Sequence, residues 1–144
     1  MFIGEFQHNI DSKGRLAIPA KFRDKLKGGL VITRGILDKC LFVYTLDEWQ
    51  KIASTISQTP ISQRSSLAFS RLMFSGAMDL QLDSQGRILL PEYLRKYAEL
   101  SKEAVVAGLF NRLEVWDKDK WEEYREKMED MGEEVVEKLG EITI

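Results

Sequence analysis

An internal repeat constrains this chain more than any other feature. Gly4–Leu26 lies over Gly76–Ala98 at an offset of 72 residues. Gly4, Asp11, Ser12, Gly14, Arg15, Pro19 and Arg23 meet Gly76, Asp83, Ser84, Gly86, Arg87, Pro91 and Arg95. Apolar character agrees around them: Phe6 with Met78, Ile10 with Leu82, Leu16 with Ile88, Ile18 with Leu90, and Phe22 with Leu94. Farther on, Leu41, Val43, Tyr44, Asp47 and Trp49 meet Leu113, Val115, Trp116, Asp119 and Trp121, with small gaps between the matched stretches. One supersecondary unit is therefore used twice. A unit of roughly 45 residues buries too little surface to be stable alone. The two copies are expected to complete one another within the chain, about a pseudo-twofold axis.

Each copy reads the same way. Phe6, His8 and Ile10 alternate, as do Met78, Leu80 and Leu82, the period of a half-buried strand. Asp-Ser-Lys-Gly and Asp-Ser-Gln-Gly follow, a turn in which Asp bonds nearby backbone and Gly supplies the φ > 0 position. A second strand then carries Arg15-Leu16-Ala17-Ile18 or Arg87-Ile88-Leu89-Leu90, so each copy should open on a strand pair. Pro19 and Pro91 stand where short helices begin, at about Ala20–Lys27 and Glu92–Leu100, because the first turn has no donor to lose. Strands at about Leu30–Arg34, Cys40–Tyr44, Ala104–Leu109 and Leu113–Trp116 complete the units.

Between the copies, Thr45-Leu46-Asp47-Glu48 has the form of a capping box and opens a helix bearing Trp49 and Ile52. Thr59-Pro60 predicts the start of a second helix ending near Phe74. After Asp117 a charged helix is expected to about Leu139, with Trp121, Tyr124, Met128, Met131 and Val135 on one packing face. The organisation is thus a first copy at 4–47, connecting helices at 48–75, a second copy at 76–119 and an acidic C-terminal helix at 120–144.

The net charge of −2 hides a segregation. Residues 1–39 hold eight Lys/Arg against four Asp/Glu, residues 40–113 eight against seven, and residues 114–144 five against twelve. The acidity belongs to the tail and the first third is basic, which permits a nucleic-acid surface. Cys40 is the only cysteine, so no intramolecular disulfide is possible and a Cys-rich metal site is excluded. Beside Leu41 and Phe42 it reads as a small buried side chain. The N-terminus lacks the basic and apolar segments of a secretory signal, and no 18 apolar residues run together, so a cytoplasmic protein is expected.

Catalysis has little to stand on. His8 is the only histidine, and the repeat sets it opposite Leu80, a half-buried structural position. Asp11 and Asp83 could be imagined as an acid/base dyad, but each sits in a turn that selects Asp for local backbone bonding. There is no phosphate-binding loop, dinucleotide fingerprint or nucleophile elbow. Neither an enzyme nor a metal, cofactor or small-molecule site is expected. Arg15 and Arg87 admit two readings. Each can pair with the Asp four residues earlier and hold the turn. The same arginines on matching hairpins, flanked by Lys13, Lys21 and Arg23, can also form a basic surface that neutralises phosphates and reaches base edges. Lys13 becomes Gln85 in the second copy, which should be the less cationic.

The run Asp11-Ser12-Lys13-Gly14-Arg15-Leu16-Ala17-Ile18-Pro19 resembles the DNA-binding half of AbrB-like swapped-hairpin proteins. Two tandem copies, opening with Met1-Phe2-Ile3-Gly4-Glu5-Phe6, resemble the MraZ family over essentially the whole chain. The resemblance implies an α+β fold: two tandem β-α-β repeats in a double-split, swapped-hairpin β-barrel, with peripheral helices and a long C-terminal helix. It also implies a ring-like homo-oligomer that binds short direct repeats of double-stranded DNA. Such a protein regulates transcription of the division and cell-wall gene cluster, its own promoter included, and associates with the nucleoid. Arg15 and Arg87 match the family's motif Arg, and Asp11 and Asp83 its Asp, with Gly14 and Gly86 in the turn; Lys13, Lys21 and Arg23 are added from charge and position. A ring-forming protein-interaction module without DNA contact is the alternative, and an antitoxin-like role through the C-terminal tail stands third.

Overall fold

A computed structural model describes residues 1–140; the last four residues of the expected 120–144 segment lie outside the described residues. The chain runs β1 (Phe2–Asn9), β2 (Arg15–Ala17), α1 (Ala20–Leu26), β3 (Leu30–Gly35), β4 (Cys40–Thr45), α2 (Leu46–Ser57), α3 (Arg64–Gly76), β5 (Met78–Leu80), β6 (Arg87–Leu89), α4 (Glu92–Tyr97), β7 (Glu103–Phe110), β8 (Leu113–Asp117), α5 (Lys118–Asp130) and α6 (Gly132–Glu137). Six strands form one antiparallel sheet in the order β1-β7-β8-β4-β3-β5, and β2 pairs with β6 in a separate ribbon.

The two copies exchange strands. β1 of the first copy pairs with β7 of the second, Phe2 facing Phe110 and His8 facing Ala104. β5 of the second copy pairs with β3 of the first, Leu30 facing Leu80. His8 and Leu80 are 72 residues apart, whereas Ala104 and Leu30 are 74 apart. The first copy's turn between β3 and β4 is therefore two residues longer, which accounts for one of the gaps in the repeat. The pairs on the axis are self-symmetric: Leu16 faces Ile88, and Phe42 faces Glu114.

This topology revises the expected strand pair within each copy. Only an isolated bridge between Ile10 and Leu16 links the first strand to the second; β2 takes its ladder from β6. The six-stranded sheet ends at β1 and β5 and does not hydrogen-bond round into a closed barrel. The core lies between the sheet and the ribbon with α1 and α4. Leu16, Ile18, Phe22 and Leu26 of the first copy and Ile88, Leu90, Leu94 and Ala98 of the second are buried there with Ile32, Leu41, Val106 and Val115. Phe22 receives Phe2 and Phe6 edge-on, at ring-centroid distances of 5.3 and 5.5 Å.

The helix starts follow their caps. Pro19 and Pro91 occupy the N-cap positions of α1 and α4. Thr45 accepts a hydrogen bond from the Glu48 backbone N–H at 3.2 Å, and its counterpart Asp117 accepts from that of Lys120. Two boundaries differ from expectation. α3 begins at Arg64, because Thr59 and Pro60 are spent turning the chain back: the Thr59 hydroxyl donates to the Ile56 carbonyl at 2.7 Å. The C-terminal helix is broken at Met131, just before Gly132, a residue with weak helix propensity. Only its first turns pack on the body. Trp121 and Tyr124 lie 5.4 and 5.3 Å from Trp116, whereas Val135 stays exposed.

Candidate nucleic-acid interface

The β2–β6 ribbon has one buried face and one open face. Leu16 and Ile88 point inward with no exposed surface. Alternation places Arg15 and Ala17 of β2, and Arg87 and Leu89 of β6, on the other face. Register sets Arg15 opposite Leu89 and Arg87 opposite Ala17. Leu89 is 58% exposed, an apolar side chain held open between two arginines. The ribbon is lengthened by two symmetric bonds, from the Ile18 N–H to the Gly86 carbonyl at 3.0 Å and from the Leu90 N–H to the Gly14 carbonyl at 2.9 Å.

Each Asp builds its own turn and aims its Arg. Asp11 Oδ1 accepts from the backbone N–H groups of Lys13 and Arg15, both at 2.9 Å, and Oδ2 accepts from Arg15 Nε at 2.7 Å. Asp83 repeats this with Gln85 and Arg87 at 2.9 Å and with Arg87 Nε at 2.8 Å. Arg87 Nη1 also stands 4.0 Å from Asp11 Oδ2, so the two turns meet electrostatically at the axis. Hydrogen bonds to the ionised form favour it. The Arg15 backbone N–H is the largest influence, and Asp11 is held down to about 2; Asp83 is lowered for the same reason by the Arg87 N–H. Because Nε is the nitrogen engaged, no hydrogen bond among the described residues occupies the Nη groups of Arg15. The structural and the binding readings of these arginines are therefore compatible.

Gly14 and Gly86 are needed twice over. Their φ values of +85° and +76° are ones that L side chains rarely adopt. Each also forms the bed for an arginine of the opposite copy. Arg95 lies on Gly14, where a Cβ would stand 2.9 Å from its Cζ, and Arg23 lies on Gly86 in the same way. Arg23 Nε donates to the Ile18 carbonyl at 2.8 Å, and Arg95 Nε to that of Leu90 at 3.2 Å.

The structure thus unites Arg15, Arg87, Asp11 and Asp83, with Lys13 exposed in the first turn. It does not add Lys21, whose ammonium sits 5.4 Å from the Phe6 ring centroid and 5.5 Å from that of Phe22. Arg23 is half-buried as a brace between the copies. Its partner in that role, Arg95, is a residue that charge and position in the first copy did not single out; the alignment of Arg23 with Arg95 was the signal. Two related clefts result beside the turns. One of about 540 Å³ is lined by Asp11, Ser12, Arg95 and Lys102, and one of about 320 Å³ by Asp83, Ser84, Arg23 and Lys27. Each cleft carries one Arg, one Lys and one Asp, and Lys13, where the second copy has Gln85, leaves the first turn the richer by one cation.

Other candidates for chemistry are accounted for. His8 is half-buried on β1, and its pKa is lowered by burial and then by the charge of Arg23. Cys40 is buried, and burial pushes its thiol up, out of the reactive range. Among the described residues no three His, Cys, Asp or Glu side chains form a metal-binding group, and no helix is long and apolar enough to cross a membrane.

Compared with known families, residues 1–72 and 73–139 each match one family model, described as "MraZ protein, putative antitoxin-like". The two matches divide the chain at the repeat and together cover nearly all of it.

Proposed function

The chain belongs to the MraZ family, and from that premise we propose that it is a sequence-specific DNA-binding transcriptional regulator, without enzymatic activity, working as a ring-like homo-oligomer. The observation that carries this reading is the pairing of Arg15 and Arg87 on one open ribbon, each held at Nε by its own Asp. The major groove of B-DNA admits a two-stranded β-ribbon, and a guanidinium can bond guanine O6 and N7 together. Leu89 between the arginines offers an apolar surface to a thymine methyl. Lys13 and the clefts under Arg23 and Arg95 supply cations for phosphates, which set position rather than sequence. The acidic charge rides on α5 and α6, which belong to the far end of the chain and not to the ribbon.

The targets proposed are short direct repeats at the promoter of the division and cell-wall gene cluster, including the protein's own gene, in the cytoplasm and on the nucleoid. Several ribbons on one ring would engage successive repeats, and avidity can raise affinity by orders of magnitude without any new contact. A ring-forming protein-interaction module is the second reading; the exposed Val135 and Val136 of α6 favour it.

The test is a titration of the protein onto a labelled duplex from upstream of its own gene at several salt concentrations, beside a scrambled duplex and an Arg15→Ala protein. The expected result is tight, salt-sensitive binding to the native duplex alone, lost in the variant. Binding no tighter than to the scrambled duplex at the lowest salt would favour the interaction module.

A further inference from the structure

The β2–β6 ribbon is built on a pseudo-twofold axis, yet its open face is not symmetric. The Leu90 N–H bonds the Gly14 carbonyl and the Ile18 N–H bonds the Gly86 carbonyl, so each strand ends beside the other copy's turn. One end of the ribbon therefore gathers Lys13, Arg15 and Leu89, and the other gathers Gln85, Arg87 and Ala17. Asp11, Ser12, Gly14 and Arg15 have identical counterparts in Asp83, Ser84, Gly86 and Arg87. Lys13 against Gln85 and Leu89 against Ala17 are the departures, and the cation and the large apolar side chain both fall at the first end.

A single exposed leucine is ordinary on a protein surface; the placement of this one is what counts. Leu89 is 58% exposed and stands opposite Arg15, whereas Ala17, opposite Arg87, is half-buried. Opposed residues of an antiparallel pair lie about 4.5–5.5 Å apart at Cα, and successive bases of one strand about 3.4 Å apart. Arg15 and Leu89 thus reach the same base pair or neighbouring ones. Arg87 lies on the diagonal from Arg15, about 7–8 Å away, which is roughly two base steps.

A ribbon with identical ends would read a duplex the same way in either direction, and its proper site would itself be twofold symmetric. Leu89 removes that equivalence at no cost to the fold, since it takes no part in the core. The carboxylate nearest to it in the chain, Glu92, is paired with Lys96 at 3.3 Å. In the major groove the C5-methyl of thymine is the apolar feature that marks a T·A pair, and apolar side chains contact it.

We propose that Leu89 gives the ribbon a direction on DNA, by recognising the methyl group of one thymine beside the guanine bonded by Arg15. Arg87 bonds its own base with no methyl read next to it, because Ala17 presents only a half-buried Cβ. Each repeat is then bound in one orientation, and the thymines that are read all fall on one strand. The inference rests on the DNA-binding reading above and names the residue that orients it.

Uracil differs from thymine only in lacking that methyl group. Duplexes from upstream of the gene are prepared with uracil for thymine in one strand, in the other strand and in neither. The parent, Leu89→Ala and Leu89→Met are titrated onto each, and circular dichroism and thermal melting check that the variants, changed at an exposed site, are folded. Parent binding should weaken on one uracil strand only, by about fourfold for each repeat engaged, the worth of one buried methyl group. Leu89→Met should keep that difference, and Leu89→Ala should bind all three duplexes alike. Specific parent binding that is equal on the two uracil strands, or a Leu89→Ala protein that keeps the difference, would overturn the inference and leave the DNA-binding reading in place. A parent that binds the native duplex no better than a scrambled one would overturn both.

Discussion

Leu16 stands directly opposite Ile88 across the β2–β6 ribbon, each with no exposed surface and each the other's counterpart in the repeat. The hydrophobic contact that closes the ribbon over the core therefore lies on the pseudo-twofold axis. Leu16→Ala should destabilise the protein by about 2–5 kcal/mol, the range for emptying a buried Leu site. Ile88→Ala should cost a similar amount. Because the two touch the same space, the double variant should depart from additivity by about 0.5–3 kcal/mol. Urea denaturation of the three variants measures this.

Arg15 and Arg87 should separate binding from folding. Arg15→Ala and Arg87→Ala are each expected to weaken specific binding by about 1–3 kcal/mol, the worth of a bidentate base contact. Arg15→Lys should not rescue, since an ammonium cannot keep Nε on Asp11 while presenting a planar fork. Melting temperatures should move little, because these pairs are a third exposed and such ion pairs contribute modestly. A variant that loses binding only by unfolding would assign its arginine to the turn alone.

Lys13 should behave differently. As a phosphate contact it carries no sequence information, so Lys13→Gln, which makes the first turn resemble the second, should weaken native and scrambled duplexes alike. The slope of log affinity against log salt should fall by about 1. A change in sequence preference instead would mean that Lys13 reads bases.

The glycines divide by position. Gly14→Ala and Gly86→Ala must adopt positive φ and displace Arg95 or Arg23, so both should lose stability. Gly132 has neither constraint: nothing lies within 4 Å of a built Cβ and its φ is not positive. Gly132→Ala should stabilise by about 0.4–1 kcal/mol and join α5 to α6, with higher helix content in circular dichroism. No gain in helix content would place the break in the surrounding sequence.

The pH dependence has two windows. The lowered pKa of His8 means that the unfolded chain takes up its proton first as pH falls below 6.5, so stability should be full above 6.5 and decline below it. His8→Leu, the residue of the second copy, should remove that decline. Asp11 contributes stability above its ordinary value of 3.8, lost as pH falls through about 2. Urea midpoints measured from pH 8 to pH 2 resolve both windows.

The local features were legible because local chemistry dictates them. Asp-x-x-Gly-Arg specifies the turn, Pro19 and Pro91 the helix starts, and Thr45 and Asp117 the caps, whatever the rest of the chain does. Strand partners were not legible. Phe6-x-His8-x-Ile10 shows that a face is buried, but an alternating pattern does not say that Ala104, rather than the neighbouring strand, completes the ladder. For the same reason Arg23 looked like a free cation. Its carbonyl acceptor is five residues away, yet the Gly86 that shelters it belongs to the other copy. The break at Met131 was missed because the apolar spacing runs unbroken through Gly132, whose weak propensity is a local fact that the period conceals.

The crossing of β1 onto β7 also bears on how the protein is made. Phe2 leaves the ribosome more than a hundred residues before Phe110, which faces it. At about 5–20 residues per second, the first strand spends several seconds as an unpaired edge while the second copy is synthesised. The stretch 1–72, complete as a sequence repeat, is thus unfinished as a folding unit, and a nascent chain stalled there would expose its half of the core to chaperones or to another nascent chain.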